Sequence, residues 1–162
     1  MFRETLERIC SELGRVGKLC EETSTKVRRA GRKAKRAILL MHAGRLEEAD
    51  GLIDEALDEL KEVEETLAGE RYLRSPSLNA AYEELSEAAI LFSLLSGSEP
   101  PTPEELSIPP QSYVLGLADV IGELRRVVLD LIRTGRLEEA EERLRLMEEI
   151  YQDLTSVDEL FI

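Results

Sequence analysis

Tyr113-Val114-Leu115-Gly116-Leu117-Ala118-Asp119-Val120-Ile121-Gly122-Glu123-Leu124-Arg125-Arg126 is the stretch on which the reading of the fold turns. Carried on to Leu131, it places Tyr113, Val114, Leu117, Val120, Ile121, Leu124, Val127, Val128 and Leu131 at steps of three and four, the period of one helical face. Asp119 and Glu123, four apart, share the opposite side, which Arg126 and Asp130 continue. The segment reads as a helix from about Gln111 to Arg133. Pro109-Pro110 precedes it and Thr134-Gly135 turns the chain after it.

The same period extends outward in both directions. Upstream, Leu6, Ile9, Leu13, Val16, Cys20, Val27, Ala34, Ile38 and Met41 recur at three, four or seven and predict one long amphipathic helix. Gly14, Gly17 and Gly31 weaken it, with a kink expected near Gly14, and His42-Ala43-Gly44 closes it as a glycine C-cap. A second helix is predicted from about Arg45 to Ala68, ending at Gly69, with Arg71 to Pro76 as the connection. Ser77 or Asn79 caps a third, which runs to about Ser96. The proline-rich loop Gly97 to Pro103 follows, since no helix interior tolerates such a run. Beyond the quoted stretch a fifth helix spans Arg136 to about Leu154, with Ser156 capping a last turn. Gly44-Arg45-Leu46-Glu47-Glu48-Ala49 recurs as Gly135-Arg136-Leu137-Glu138-Glu139-Ala140, so two helical hairpins are expected to share one turn. The phrase is like the middle of a tetratricopeptide repeat, but a spacing of 91 residues does not fit that period and no further copies occur.

These elements predict an all-α fold, an antiparallel helical bundle of about five to seven helices forming a single domain over 1–162. Composition agrees: the 162 residues are 43% hydrophobic and 34% charged, with 4% aromatic and no Trp, a helix-former balance that argues against an all-β fold. No apolar run reaches the length of a membrane span and no secretory apolar region follows Met1, so the expectation is a soluble, cytoplasmic protein with no membrane partner. Cys10 and Cys20 lie ten residues apart on one helix, about 15 Å along its axis and beyond disulfide reach, and are expected to be reduced, partly buried thiols. Asn79 is the only Asn, and Gln111 and Gln152 are the only Gln, a bias seen in heat-adapted proteins.

Charge is distributed unevenly. Residues 1–42 carry 11 Lys and Arg against 5 Asp and Glu, whereas 43–162 carry 10 against 29, within a total of −13. Arg28, Arg29, Arg32, Lys33, Lys35 and Arg36 lie opposite the apolar stripe of the first helix, a basic ridge suited to phosphate contacts without base reading. A solvated face or contact with acidic neighbours explains the same residues. No aromatic interleaving supports base stacking.

Few residues offer other chemistry. His42 is the only His and sits at a helix end without an evident nucleophile, where the helix dipole accounts for it. The Cys and His clusters of zinc sites, a phosphate-cradling glycine loop and the Glu-x-x-His of di-iron bundles are missing. Carboxylates on helices remain. Glu84 and Glu87 flank the apolar face of the third helix, formed by Ala81, Tyr82, Leu85, Ala88, Ala89, Leu91, Phe92 and Leu95. Converging with Asp119 and Glu123, they would suit Mg²⁺ or Mn²⁺, hard cations that take oxygen ligands and activate water for phosphodiester attack. Snorkelling into solvent or pairing with Arg is the alternative for the first two, and a solvated polar face for the second two.

The segment Tyr113 to Arg126 closely resembles the signature of the translin and translin-associated factor X (TRAX) family. Glu84-Leu85-Ser86-Glu87-Ala88 resembles the paired-Glu helix of the TRAX-type subunit, and the long basic first helix agrees. The resemblance implies a translin-like, all-helical subunit that assembles into a hollow, roughly octameric oligomer and binds single-stranded or structured RNA, and ssDNA, on its basic interior. It further implies a Mg²⁺-dependent endoribonuclease, with Mn²⁺ able to substitute, in which Glu84, Glu87 and Asp119 match the metal-binding acids and Glu123 is the adjacent signature acid. The chain is short for the family, which leaves open a homo-oligomer or a hetero-oligomer with a translin-like subunit. A non-catalytic nucleic-acid-binding subunit is the second reading. An all-α nucleoside triphosphate pyrophosphatase is the third: Glu83-Glu84-Leu85-Ser86-Glu87 fits half of that metal motif, but Asp119 and Glu123 stand in the reverse of the order its second half requires.

Overall fold

A computed structural model describes residues 2–67 and 75–157. Among the described residues there are five helices: α1 (Arg3–His42), α2 (Leu46–Thr66), α3 (Pro76–Ser96), α4 (Pro110–Arg133) and α5 (Leu137–Val157). α1 packs on α2 and α3, α3 packs also on α2 and α4, and α5 covers α4. Among the described residues no helix is long and apolar enough to cross a membrane.

The two hairpin turns are the same structure twice, as their shared phrase predicts. Gly44 and Gly135 take φ of +74° and +77°, a left-handed conformation that glycine adopts without a Cβ clash. The Arg45 and Arg136 amides each reach back 2.9 Å to the carbonyls of Leu40 and Leu131, the long bond of a Schellman cap. Each Arg then grips the Glu three residues on, Arg45 with Glu48 and Arg136 with Glu139, and Ala49 and Ala140 turn inward and are buried.

Elsewhere the boundaries move. α1 runs unbroken through Gly14, Gly17 and Gly31, so the kink expected near Gly14 is not formed; at Gly31 the helix is held against Ala81 of α3. Ser75, not Ser77 or Asn79, caps α3, its Oγ accepting from the Leu78 amide at 3.2 Å with Pro76 in the first turn. Ser156 lies inside α5 rather than capping a later turn, its hydroxyl donating to the Asp153 carbonyl. The expected end of the second helix at Ala68-Gly69 and most of the connection after it fall outside the described residues, as does anything beyond Val157. Cys10 is exposed and only Cys20 partly buried.

The core centres on α3. Leu78, Ala81, Tyr82, Leu85, Ala88, Ala89, Ile90 and Leu91 are buried, and so are Ser86 and Ser93, which the apolar arc did not include. A helix covered by α1 and α2 on one side and α4 on the other buries more than one stripe. The serine hydroxyls are satisfied by the Tyr82 and Ala89 carbonyls one turn back. On α4 the buried line is Ser112, Gly116, Val120, Leu124, Val128 and Leu131, narrower than the nine-residue stripe, with Tyr113, Val114, Leu117, Ile121 and Val127 half-buried at its edges. In the proline-rich loop Thr102 and Glu105 form a reciprocal capping box, with bonds of 2.7 and 3.2 Å, and Leu106 and Ile108 anchor the loop to the core.

Candidate nucleic-acid interface and acid cluster

Two close helix crossings position the charged residues. At the first, Gly31 of α1 faces Ala81 of α3, where a Cβ on the glycine would lie 3.8 Å from Ala81. One turn further along each helix, Lys35 meets Glu84 across the gap, Nζ to Oε1 2.8 Å. The second crossing is tighter. A Cβ on Gly116 would sit 2.5 Å from Ser86 Cβ, 2.7 Å from the Glu83 carbonyl oxygen and 2.9 Å from the Glu87 amide, so only glycine lets α4 approach α3 so closely. That approach sets Asp119 and Glu123, one and two turns on from Gly116, against the face of α3 that carries Glu84 and Glu87.

The electrostatics record the result. Glu87 is half-buried, and its pKa is pushed up to about 7, first by burial and then by the negative charges of Asp119, Glu84 and Glu123, with Lys35 pulling the other way. Lys35 is held above the ordinary lysine range by its hydrogen bond to Glu84. His42, its side chain only 6% exposed, reaches across from the end of α1 to bond Glu123. The four acids are thus neighbours in field, but two of them are turned outward to cationic or imidazole partners. Among the described residues no three Asp, Glu, His or Cys groups stand close enough to grip one metal ion. The donor set, all hard carboxylate oxygens with Glu87 and Asp119 in no ion pair among the described residues, still fits Mg²⁺ or Mn²⁺ in residue type.

The basic ridge divides in two. Arg29 and Lys33 both bond Glu59 Oε1 at 2.6 Å, Lys33 also pairs with Glu55 at 2.7 Å, and Lys26 pairs with Glu62 at 2.6 Å. Those cations fasten α1 to α2, and Glu59 is buried beneath them. Arg28, Arg32 and Arg36 are exposed and form no ion pair among the described residues; spaced four apart, they follow one another along a single line of α1. Arg29 and Lys33, expected on a phosphate-binding ridge, are therefore engaged within the fold. A cavity of about 280 Å³ between α1 and α3 is lined by Arg28, Arg32, Lys35 and Glu84, so the open arginines lead directly to the edge of the acid cluster.

Sequence reasoning missed three of these residues. His42 was assigned to its own helix dipole because its partner is 81 positions away. Gly116 stood inside the quoted signature, and a glycine within a helix interior is a signal of close approach. Glu59 carried no local mark at all.

Comparison with known proteins matches these features to one family. The model of the Translin family covers residues 2–161. An uncharacterized protein of Methanocaldococcus jannaschii is 36% identical over 111 residues, 65% of this chain and 50% of that protein, so the match spans about half of the relative's length. The structure of AfC3PO in complex with duplex RNA superposes with a TM-score of 0.84 at 30% identity, covering 94% of this chain and 79% of that one. A crystal structure of AfC3PO gives 0.79 at 31% identity with the same coverage. Apo-NeC3PO, at 23% identity, a TM-score of 0.83 and coverage of 94% and 82%, shares the fold. The half motif Glu83 to Glu87 is accordingly read within this family rather than as a pyrophosphatase signature. The chain belongs to the Translin family.

Proposed function

We propose that this Translin-family chain binds RNA along Arg28, Arg32 and Arg36 and cleaves it as a Mg²⁺-dependent endoribonuclease of the TRAX type. The observation that carries the reading is the uncompensated acid at the α3–α4 crossing: Glu87, half-buried among three other carboxylates at the end of an open arginine line. Like charges are brought together at a cost, and a cation-binding role accounts for that cost. Glu84, Glu87 and Asp119 would hold the ion, with Mn²⁺ as a substitute. When bound, the ion supplies an activated water and neutralises developing phosphate charge.

The residues of the chain account for the rest. Arg28, Arg32 and Arg36 hold successive phosphates by charge, without reading bases, so binding extends to single-stranded, structured and duplex RNA and to ssDNA. Lys35 stands at the boundary, bridging the phosphate line and Glu84. Glu123 is held by the His42 imidazole beside the other three acids, where its carboxylate orients the attacking water. Assembly into a hollow octamer, alone or with a translin-like subunit, would enclose the arginine line.

The test is cleavage of labelled single-stranded and duplex RNA in Mg²⁺ and in EDTA, beside Asp119→Asn. Cleavage that needs Mg²⁺ and falls at least about 100-fold in the variant, with RNA binding kept, is the expected result. Cleavage that persists in EDTA or in the variant removes the assignment. A second reading, a non-catalytic RNA-binding subunit, is favoured by the pairing of Glu84 with Lys35 and of Glu123 with His42, which leaves the acids spread. Tight binding without turnover under every metal tested would establish it.

A further inference from the structure

A single ion pair joins the arginine line to the acid cluster. Lys35 follows Arg28 and Arg32 by seven and three residues, so it stands on their side of α1, and its Nζ lies 2.8 Å from Glu84 Oε1. Two openings share this lysine as a wall. One is the cavity of about 280 Å³ that also takes in Arg28, Arg32 and Glu84. The other is an open groove of about 470 Å³ lined by Leu39 and five cations of α1, Arg32 and Arg36 among them, and by no acid among the described residues. The Lys35 side chain is 63% exposed, and an ion pair with so exposed a member is weak and open to competition. The pair of His42 with Glu123 is the opposite case, because its imidazole is buried and lines neither opening. Of the two acids held by α1, only Glu84 has a partner that a phosphate can reach.

We propose that Lys35 is a positioning residue shared between Glu84 and an RNA phosphate, so that RNA and the divalent ion strengthen each other's binding. The inference rests on the reading of Glu84, Glu87 and Asp119 as the acids that hold the ion. While Lys35 is on Glu84, one of those acids has an oxygen engaged by an ammonium, and a positive charge stands beside the cluster, within the field of Glu87 as well. A phosphate in the groove of five cations draws Lys35 away. Glu84 is then free to join Glu87 and Asp119, and the repulsion that Lys35 exerts on an incoming cation falls with distance. The reverse also holds: once Glu84 is engaged by the ion, Lys35 is left to the phosphate. Each ligand thus removes the other's competitor, and by linkage the effect is equal in both directions. The acid set is completed where RNA already lies.

Mn²⁺ binding by the full chain, read from the electron paramagnetic resonance of the free ion, tests this without turnover, with a short 2′-O-methyl RNA as the probe and that RNA alone as the blank. Saturating RNA is expected to tighten Mn²⁺ binding by the parent about 10-fold, and saturating Mn²⁺ to tighten RNA binding by the same factor. Lys35→Gln should bind Mn²⁺ several-fold more tightly than the parent in the absence of RNA. RNA should then add no more than about two-fold, the share that comes from the charge of the phosphate itself. Arg28→Gln separates the ion pair from general charge: it should need more RNA to saturate and still show the full gain. Lys35→Arg, which keeps the cation, should keep the coupling. Mn²⁺ affinity of the parent that RNA leaves unchanged, or a full gain that survives in Lys35→Gln, would overturn the inference and leave the acids standing as the site of the ion. No Mn²⁺ binding by parent or variant, with or without RNA, would remove the metal reading itself and this inference with it.

Discussion

The α1–α2 and α3–α4 contacts use similar means to opposite ends. Both bring charged residues from two helices to one seam. Between α1 and α2 the signs are opposite: Arg29 and Lys33 close on Glu59, and Lys26 closes on Glu62. Between α3 and α4 the signs are the same: Glu84, Glu87, Asp119 and Glu123 share one field, relieved only by Lys35 and His42 from α1. Charge that cancels within the fold fastens helices, whereas charge left over at a seam is available to a ligand. The total of −13 hides this distinction, because a sum does not tell engaged charges from free ones.

The largest break in the contrast is expected at Gly116. Gly116→Ala places a methyl 2.5 Å from Ser86 Cβ and 2.7 Å from a backbone oxygen, so the helices have to part, at a cost of about 2–3 kcal/mol. Thermal unfolding followed by circular dichroism should show a midpoint lower by roughly 4–12 °C, and the rise in the pKa of Glu87 should shrink with the separation. An unchanged midpoint would mean that the crossing relaxes freely.

Next comes the cancelled seam. Glu59→Ala leaves Arg29 and Lys33 without their common partner and should destabilise by about 1–2 kcal/mol, reduced from the figure for a fully buried pair because Arg29 is half-exposed. The same variant frees Arg29 beside the open arginines, while Lys33 keeps Glu55, so its RNA affinity should rise and its salt dependence steepen. Denaturant unfolding and salt-titrated binding check both halves.

A smaller effect, of opposite sign, belongs to Glu87. Its folded-state pKa is raised from 4.5 to about 7, so the folded protein holds that proton more tightly than the unfolded chain. Stability should therefore decline as pH rises through that window. Glu87→Gln removes the decline and should leave the variant more stable by about 1 kcal/mol at pH 8, once solvent screening of a half-exposed group is allowed for. Urea unfolding in EDTA at pH 5 and pH 8 measures it; equal losses in parent and variant would show that the charge is already compensated.

The smallest difference separates two neighbouring arginines. Arg32→Ala should lower RNA affinity a few-fold and reduce the salt slope by about one, while Arg29→Ala, already engaged with Glu59, should change the slope little and stability slightly. Equal losses of affinity would mean that RNA draws Arg29 away from α2.

Much of the fold was legible in the chain. The five helices, the two glycine turns and the proline-rich break follow from period, caps and breakers acting over a few residues. α3 is capped at Ser75, two residues before the first of its expected caps, because Pro76 suits the first helical turn. The narrower stripe of α4 was hidden because Gly116 and Ser112 count as neutral in an apolar pattern, yet they form the contact line. The acids stand out in the sequence by type and by family resemblance, whereas the division of the ridge does not. Lys33 and Lys35 look alike in sequence, and one faces Glu59 of α2 while the other faces Glu84 of α3.

By itself the sequence determined that the chain is all-helical, where each helix turns, and that acids and bases gather on separate segments, since propensity, periodicity and capping depend on residues within a few positions. Only the tertiary structure decided which charges meet. Coulomb and hydrogen-bond partners depend on distances across helices: the packing of α1 on α2 turned one set of cations into fasteners, and the close approach that Gly116 permits set Asp119 and Glu123 beside a half-buried Glu87 that has no ion-pair partner among the described residues.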